Sequence, residues 1–225
     1  KPLYNLKEAS KAAKKIHPVS YGQRICVARD VFATLYDAGH ILGSAIISLE
    51  IRDGATVVRL GYAVDLGMKG LPMLNNPTIL KGLDYLILES TYGGRLHAPI
   101  EETKAKLKDA IVRTIARKGK IIIPAFSLER TQEVLYFLSE LLKEKAIPIT
   151  PVYVDSPLAT DITDAFGFHT AYMDKETRRQ INKGESPFEF LHLKYVGDQK
   201  ESKALNTDKR PMIIIAGSGM CESGR

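Results

Sequence analysis

Three polar motifs, each directly after a β-like run, constrain the first half of this 225-residue chain more than any other feature. They read DAGHILGS, VDLG and ESTYG, and they place His40, Asp65 and Glu89 at successive distances of 25 and 24 residues. Such even spacing is expected when successive strands each deliver one polar residue to the same edge of a sheet. Because a histidine and two carboxylates at one edge offer metal ligands and proton-handling groups, the three residues predict a metal site.

Each of these residues taken alone has a plainer explanation. A single loop histidine such as His40 is usually not a ligand, and an aspartate before Leu-Gly, as at Asp65, is most often a turn former. Glu89 at a strand end could cap a helix or pair with Arg95. The shared-site hypothesis therefore depends on the three occurring together, in order and evenly spaced.

The first 93 residues predict a mostly antiparallel β region. Apolar runs between residues 25 and 60 are interrupted at Asp53-Gly54, a dipeptide typical of tight hairpins. Residues 83–88 (LDYLIL) are continuously apolar, which predicts a short strand buried on both faces. Residues 3–16 carry alanine and isoleucine at helical spacing, so a short helix is expected before the strands.

Residues 94–225 alternate between helical and strand patterns, which predicts a separate α/β domain with a mainly parallel sheet. Strands are expected at KIIIPAF (120–126, a buried strand), PVYVD (151–155) and the start of PMIIIAGSGM (211–220). A helix is expected over 100–118, and Ser127 is predicted to cap the next one. Ser156-Pro157 is a strong helix start, and Asp174 is expected to begin a helix that stops at Gly184.

Composition narrows the class of partner and the compartment. The net charge is +6 and the sequence pI is about 9.2, which favours a polyanion such as nucleic acid. No apolar run is long enough to span a bilayer, so no membrane partner is expected. Because Cys26 and Cys221 lie far apart and form no disulfide framework, a reducing cytoplasm is the expected compartment.

In wording and order the motifs resemble the metallo-β-lactamase fold nucleases of the β-CASP group. PAFSLERTQEVLYFL, VYVDSPLATDITDAF, ESKALN and IIIAGSGMCESGR extend the resemblance over almost the whole chain. It implies part of a metallo-β-lactamase αββα layer at 1–93 and a β-CASP domain at 94–225. It also implies that His40 is a zinc ligand, that Asp65 bridges two zinc ions, and that Glu89 supports a ligand or the activated water, so that Asp65 and Glu89 are catalytic.

The resemblance also suggests where RNA phosphates bind. His97 matches a recurrent histidine of the ESTYG loop, and Ser156 lies with the turn containing Ser218 and Gly219 near the cleft. Backbone N–H groups at such turns can hold a phosphate, although both turns also read as ordinary strand-to-helix connections. A dinucleotide site is rejected because the glycines at 217, 219 and 224 do not form GxGxxG.

Two departures from the family pattern shape the functional hypothesis. The HxHxDH motif, which carries most of the zinc ligands, is absent before His40, and the two downstream histidine motifs are absent as well. Val64 also stands where the family usually has glycine. We therefore expect the middle part of a two-zinc ribonuclease that hydrolyses single-stranded RNA, inactive by itself because it offers two zinc ligands of the three or four required.

Two other classes remain open on the sequence. A non-catalytic β-CASP paralogue would bind RNA or scaffold a processing complex without cleaving it. A small-molecule metallohydrolase is a third reading, which the β-CASP text after residue 94 disfavours. A homodimer is a further expectation.

Overall fold

The computed structural model describes residues 2–221. Helices in this range are α1 Leu6–Ala13, α2 Ile100–Ala116, α3 Arg130–Lys143, α4 Pro157–Phe168, α5 Lys175–Asn182 and α6 Gln199–Thr207, with a 3₁₀ turn at Thr170–Tyr172. Strands are β1 Arg24–Ala28, β2 Val31–Asp37, β3 Ala45–Asp53, β4 Thr56–Ala63, β5 Tyr85–Leu88, β6 Lys120–Pro124, β7 Val152–Asp155, β8 Leu193–Tyr195 and β9 Met212–Ala216. This mixture confirms the predicted α/β class.

The chain divides into two compact units that do not follow the order of the sequence. The first unit comprises Lys1–Ala38, Ala45–Asp65 and Thr78–Glu89, and the second comprises Gly39–Ser44, Leu66–Pro77 and Ser90–Arg225. Two loops from the first half of the sequence therefore belong to the second unit. The sequence boundary at 93/94 between two domains stays a prediction.

The first unit is built on a five-stranded sheet in the order β1-β2-β3-β4-β5. The first four strands pair antiparallel, and β4 pairs parallel with β5. The tight hairpin predicted at Asp53-Gly54 is present, with Asp53 opposite Thr56. Because β2, β4 and β5 run in the same direction, their carboxyl ends lie at one edge of this sheet.

Strand β5 corrects the prediction of a strand buried on both faces. All four of its residues are exposed, from Ile87 at 49% to Tyr85 at 64%. The strand lies at the end of the sheet and pairs with β4 on one side. An apolar run identifies a strand, but its burial depends on neighbours that the run itself does not specify.

The second unit contains a four-stranded, fully parallel sheet in the order β6-β9-β7-β8. The central strand β9 is buried along its whole length. The edge strand β6 was expected to be buried, and that expectation is wrong in part, because Ile122 is 60% exposed. Buried side chains from α3, β7, β9 and the loops form the core of this unit.

Local start signals explain most helix boundaries of the second unit. Ser156 caps α4 by accepting a hydrogen bond from Ala159 N–H (3.2 Å), and Pro157 is its first residue, as predicted. Asp174 caps α5, and Gly184 follows the helix with a φ of +77°. The predicted cap at Ser127 is wrong, because α3 begins at Arg130 and its N-cap residue Glu129 makes no side-chain cap bond.

Within residues 2–221, no helix has both the length and the apolar character needed to cross a membrane.

Candidate functional site

A cavity of about 420 Å³ opens at the carboxyl ends of β6, β7 and β9 in the second unit. It is lined by Ala125, Phe126, Ser127, Asp155, Ser156, Pro157, Ser202, Gly217, Ser218 and Gly219. Open parallel α/β sheets generally bind ligands outside the carboxyl ends of their strands. This pocket, called the serine cavity below, is therefore the candidate site of the second unit.

Four hydroxyl groups from separate segments of the chain reach the serine cavity. Ser127 Oγ and Ser156 Oγ lie 3.3 Å apart and share a hydrogen bond. Ser202 Oγ, on α6, donates to Asp155 Oδ2 at 2.9 Å, and Ser218 lines the cavity from the turn after β9. The wall therefore presents hydroxyl groups that can turn to donate to a ligand oxygen.

Gly219 brings the turn after β9 directly against the turn after β6. A Cβ atom at Gly219 would lie 2.9 Å from the backbone nitrogen of Phe126 and 3.0 Å from its ring. No side chain fits there without displacing the backbone. The two turns that line the cavity are therefore packed against each other, and glycine is required at 219.

The serine cavity offers hydroxyl groups and the amino end of a helix as neutral hydrogen-bond donors, together with one carboxylate, Asp155. The amino end of α4 begins at Pro157, which lines the cavity, and the amino end of a helix carries partial positive charge. Among residues 2–221, no lysine or arginine lines the cavity, and the carboxylate of Asp155 receives the Ser202 hydroxyl hydrogen bond. Recognition here would thus depend on neutral donors and backbone dipoles.

The turn at residues 126–129 joins the serine cavity to the start of α3, and two buried side chains of α3 donate hydrogen bonds to its carbonyl groups. Thr131 donates from both N–H and Oγ1 to Phe126 O, at 3.1 and 2.8 Å. Gln132 Nε2 donates to Ser127 O at 3.1 Å and to Thr163 Oγ1 at 2.8 Å. Because both side chains are at most 1% exposed, the turn has little freedom to move.

The loop Gly39–Ser44, called the His40 segment below, is also part of the second unit. Ser44 Oγ accepts hydrogen bonds from the N–H groups of His40 (3.1 Å) and Ile41 (3.2 Å). Leu42 packs against the core of the unit, and its N–H donates to Glu129 Oε2 at 3.1 Å. These contacts leave the His40 side chain exposed on a fixed loop.

The glycines of the first two motifs meet in the second unit. A Cβ atom at Gly67 would lie 1.6 Å from the carbonyl oxygen of Gly39, so the two backbones touch where no side chain fits. Gly39 immediately precedes His40, and Gly67 follows Asp65 by two residues. Gly67 is thus explained by this close backbone approach, whereas Gly39 is required by its φ of +60° and by the carbonyl oxygen of Asn75, which would lie 2.5 Å from a Cβ atom at Gly39.

Glu129 is a partly buried carboxylate with an unusual backbone. Its φ is +67°, a left-handed conformation that non-glycine residues seldom adopt. Its pKa is raised to about 7, chiefly by burial and also by the charge of Glu133, while the hydrogen bond from Leu42 and the charge of Arg130 oppose the rise. Burial also raises the pKa of the neighbouring Glu133, opposed by the charge of Arg130.

Asp65 and Glu89 lie at the same edge of the sheet of the first unit. Asp65 follows β4 by two residues and Glu89 follows β5 directly, and these strands are parallel neighbours. Glu89 N–H donates to Ala63 O at 3.2 Å, which continues the pairing past the strand end. Asp65 has a φ of +52°, a conformation in which aspartate is enriched but which still strains the backbone.

Residues 131–225 match the Beta-Casp domain family. The chain is 32% identical over 224 residues to Ribonuclease TTHA0252 of Thermus thermophilus, an alignment that covers all of this chain and 50% of that protein. It is 35% identical over 232 residues to the transcription termination factor FttA of Thermococcus kodakarensis, covering 99% of this chain and 34% of FttA. FttA of Pyrococcus abyssi is 36% identical over 234 residues, with the same coverage.

The chain belongs to the β-CASP family. Its mixed sheets and parallel second unit agree with the metallo-β-lactamase and β-CASP fold that the motifs implied. The chain spans half the length of the Thermus ribonuclease and about a third of the length of FttA.

Of the residues predicted to bind RNA phosphates in this β-CASP chain, three lie together. Ser156, Ser218 and Gly219 all line the serine cavity, although their role in phosphate binding stays a prediction. His97 is not among the lining residues; its exposed ring contacts the ring of Tyr92, with a centroid distance of 4.0 Å. The guanidinium of Arg95 lies over the same tyrosine ring at 4.5 Å.

Sequence reasoning missed two residues that contribute to these contacts. Ser202 was overlooked because α6 was not predicted, although Asp198 and Glu201 form an N-terminal capping pattern in which Asp198 Oδ1 accepts from Glu201 N–H (2.8 Å). Glu129 was not predicted as a functional residue. No local signal identifies its partner, because Leu42 lies 87 residues earlier in the sequence.

The residues available for zinc do not form a complete ligand set. Among residues 2–221, no group of three or more histidine, cysteine, aspartate or glutamate side chains is arranged to hold a metal ion. Zinc sites require three or four protein ligands, and the prediction names two, His40 and Asp65. A shared site of His40, Asp65 and Glu89 therefore stays a prediction.

Proposed function

We propose that the protein is a ribonuclease that hydrolyses phosphodiester bonds of single-stranded RNA, in RNA processing or decay. The observation that carries the proposal is the serine cavity, which gathers Ser127, Ser156 and Ser218 from three separate strand ends. Such a constellation of hydroxyl groups beside a helix amino end suits the oxygens of a phosphate group. The similarity to a protein named as a ribonuclease over the whole chain adds support.

In this proposal the two sheets have different tasks. The serine cavity of the second unit would hold a backbone phosphate through hydroxyl and N–H donors, without reading the base. Asp65 and Glu89 lie at one edge of the first sheet, and we assign the Glu89 carboxylate to proton handling and the Asp65 carboxylate to metal binding. Zinc is the cofactor we propose for the complete enzyme, with His40 and Asp65 as two of its ligands.

A second candidate is an RNA-binding function without cleavage, in a transcription or processing complex. It is favoured by the similarity to proteins named as transcription termination factors and by the incomplete set of metal ligands among the described residues. The two candidates share RNA as the partner. They differ in whether a covalent bond of the RNA is broken.

The test uses the complete gene product that contains this chain, purified with zinc present, and a 5′-labelled single-stranded RNA of about 30 nucleotides. We expect cleavage of the RNA and weaker cleavage of a duplex of the same sequence. Ser218→Ala should raise the Kd for RNA about tenfold, because a hydrogen bond to a charged oxygen is lost. Ser10→Ala, an exposed serine on α1, is the matched control and should leave the Kd unchanged.

The outcomes separate the two candidates and the role of the cavity. Tight RNA binding without any cleavage in metal-replete buffer would favour the non-catalytic function. Equal affinities for Ser218→Ala and Ser10→Ala would show that the serine cavity does not hold the RNA backbone.

A further inference from the structure

Glu129 makes a contact that its position in the sequence does not explain. As the N-cap residue of α3, its carbonyl oxygen accepts the N–H of Glu133 at 2.8 Å, but its side chain makes no cap bond to the helix. Its carboxylate instead accepts the N–H of Leu42, in the segment that carries His40. The backbone of Glu129 adopts the left-handed conformation in doing so.

We propose that Glu129 is a positioning residue for His40, which it holds through Leu42 from the same turn that lines the serine cavity. The consequence for catalysis rests on the ribonuclease function proposed above. The positioning itself is a property of the second unit and can be measured without any RNA.

The His40 segment is held by local contacts and by contacts with distant parts of the sequence, and Glu129 contributes a hydrogen bond of the second kind. Ser44 Oγ closes the loop locally by accepting from His40 and Ile41 N–H, and the Leu42 side chain packs against the core. The Glu129 carboxylate accepts the N–H of Leu42 and so fixes the backbone between Ile41 and Gly43. Charge-assisted hydrogen bonds of this kind are roughly twice as strong as neutral ones.

The other end of the same turn forms the cavity wall. Ser127, two residues before Glu129, shares a hydrogen bond with Ser156, and Phe126 lies against Gly219. Thr131 and Gln132 hold the carbonyl groups of Phe126 and Ser127 from inside α3. A single rigid turn of four residues therefore fixes both the hydroxyl groups of the cavity and the loop of His40.

A carboxylate at position 129 costs desolvation free energy, which a neutral side chain that only filled the same space would not. Burial disfavours its ionised form, and a glutamine of the same shape would avoid that cost. The neighbouring Glu133 is also partly buried but contacts Arg130 and has no bond to the His40 segment. Glu129 and Glu133 therefore provide a test and a matched control at the start of α3.

The first experiment measures amide hydrogen exchange and histidine ring resonances by NMR in the 225-residue chain. Glu129→Ala should raise the exchange rate of the Leu42 amide about tenfold and shift the His40 ring resonances, while those of His192 stay in place. Glu133→Gln should change neither. Ser44→Ala should instead raise exchange at His40 and Ile41, which shows that the two anchors act on different amides.

If circular dichroism shows that Glu129→Ala does not fold, Glu129→Gln decides. Gln keeps the shape but accepts a weaker hydrogen bond, so Leu42 exchange should rise about threefold with a smaller shift at His40. In whichever variant folds, unchanged Leu42 exchange and unchanged His40 resonances would overturn the positioning role.

The second experiment tests the consequence in the complete enzyme. Glu129→Ala should lower kcat for RNA about tenfold with KM within twofold, and Glu129→Gln should recover most of the loss. If the wild-type enzyme cleaves RNA and Glu129→Ala retains full kcat, the positioning role fails. If the wild-type protein cleaves no RNA, the proposed function fails, and the exchange experiment alone decides on Glu129.

Discussion

Strand β5 leaves its four side chains 49–64% exposed at the edge of the first sheet, whereas β9 buries all five of its residues to 4% or less at the centre of the second. The two sequences, YLIL and MIIIA, are similarly apolar. What differs is the number of neighbours, since β9 lies between β6 and β7 and β5 pairs with β4 at the end of its sheet. Apolar content therefore marks both strands, while burial depends on sheet order.

The two sheets also differ in the polar groups at the ends of their strands. The first delivers carboxylates, Asp65 and Glu89, beyond the ends of β4 and β5. The second delivers mainly hydroxyl groups, of which Ser156 and Ser218 follow β7 and β9, together with the carboxylate of Asp155, which accepts the Ser202 hydroxyl hydrogen bond. Carboxylates can move protons, and hydroxyl groups hold anions without adding charge, so the contrast suggests that chemistry and substrate holding are divided between the sheets.

The sharpest test of this division is Asp65→Ala in the complete protein. We expect RNA cleavage to fall about 1,000-fold, because a proposed ligand of the catalytic zinc is lost, while the Kd for RNA stays within twofold. Single-turnover cleavage and filter binding on the same RNA provide the two measurements.

Asp65→Asn is the matched variant, because it keeps the shape of the side chain and tolerates a φ of +52°. It therefore separates the loss of the carboxylate from strain in the backbone. If Asp65→Ala cleaved at close to the wild-type rate, Asp65 would be a turn former only. If it lost RNA binding altogether, the first sheet would hold the substrate and the division would be wrong.

The difference in burial predicts unequal costs of truncation. Ile215→Ala in β9 should reduce the free energy of unfolding of the second unit by about 3 kcal/mol, because a fully buried side chain leaves a cavity. Ile87→Ala in β5 should cost less than about 1 kcal/mol, because half of that side chain is already exposed to solvent. Urea denaturation of both variants gives the comparison, and equal losses would mean that β5 is covered in solution.

The pH dependence of stability should distinguish the second unit from the first. Glu129 has a pKa of about 7 in the folded chain and about 4.5 when unfolded, so between these values the folded state keeps a proton that the unfolded state has lost. Its contribution to the free energy of unfolding is therefore complete below about pH 4.5 and lost as the pH rises past about 7. The total change is at most about 3 kcal/mol.

Urea midpoints at pH 5 and pH 8 measure this effect. Glu129→Gln should reduce the fall in stability between the two values, and Glu133 should contribute a remaining part in the same direction. An identical fall in wild type and Glu129→Gln would show that the carboxylate is hydrated in solution.

The smallest expected signal is the zinc content of the 225-residue chain. Because His40 and Asp65 supply fewer ligands than a structural or catalytic zinc requires, we expect well under one zinc per chain after dialysis. Metal analysis by mass spectrometry measures this directly. Retention of two zinc ions would show that the ligand set has been misread, and it would shift the chemistry of the first sheet toward a complete metal site.

Much of the architecture follows from local sequence signals. The Asp53-Gly54 hairpin, the cap at Ser156 and the helix from Asp174 each depend on residues within a few positions of one another, and all three are present. The burial of β5 and the cap at Ser127 were wrong, because each was decided by residues distant in sequence. Ser127 bonds to Ser156 across the sheet edge instead of to its own helix.

The candidate site was predictable in its residue types and less so in its connections. Ser156, Ser218 and Gly219 were found because strand-to-helix turns at the carboxyl ends of parallel strands meet at one edge. The link between Glu129 and Leu42 was not predictable, since a hydrogen bond between a side chain and a backbone 87 residues away leaves no periodic or spacing signal.

The burial of Met73 determines where the protein can be truncated. Met73 belongs to the loop Leu66–Pro77, is completely buried in the core of the second unit, and its carbonyl oxygen accepts the N–H of Asp174 at 2.9 Å. Leu74 extends the contact by a β-bridge to Met173. A truncated protein beginning at residue 94 would lack Met73 and Leu74 and would expose the apolar core residues that they cover. Autonomous expression of the second unit therefore requires the upstream loop to be supplied, in cis or as a peptide.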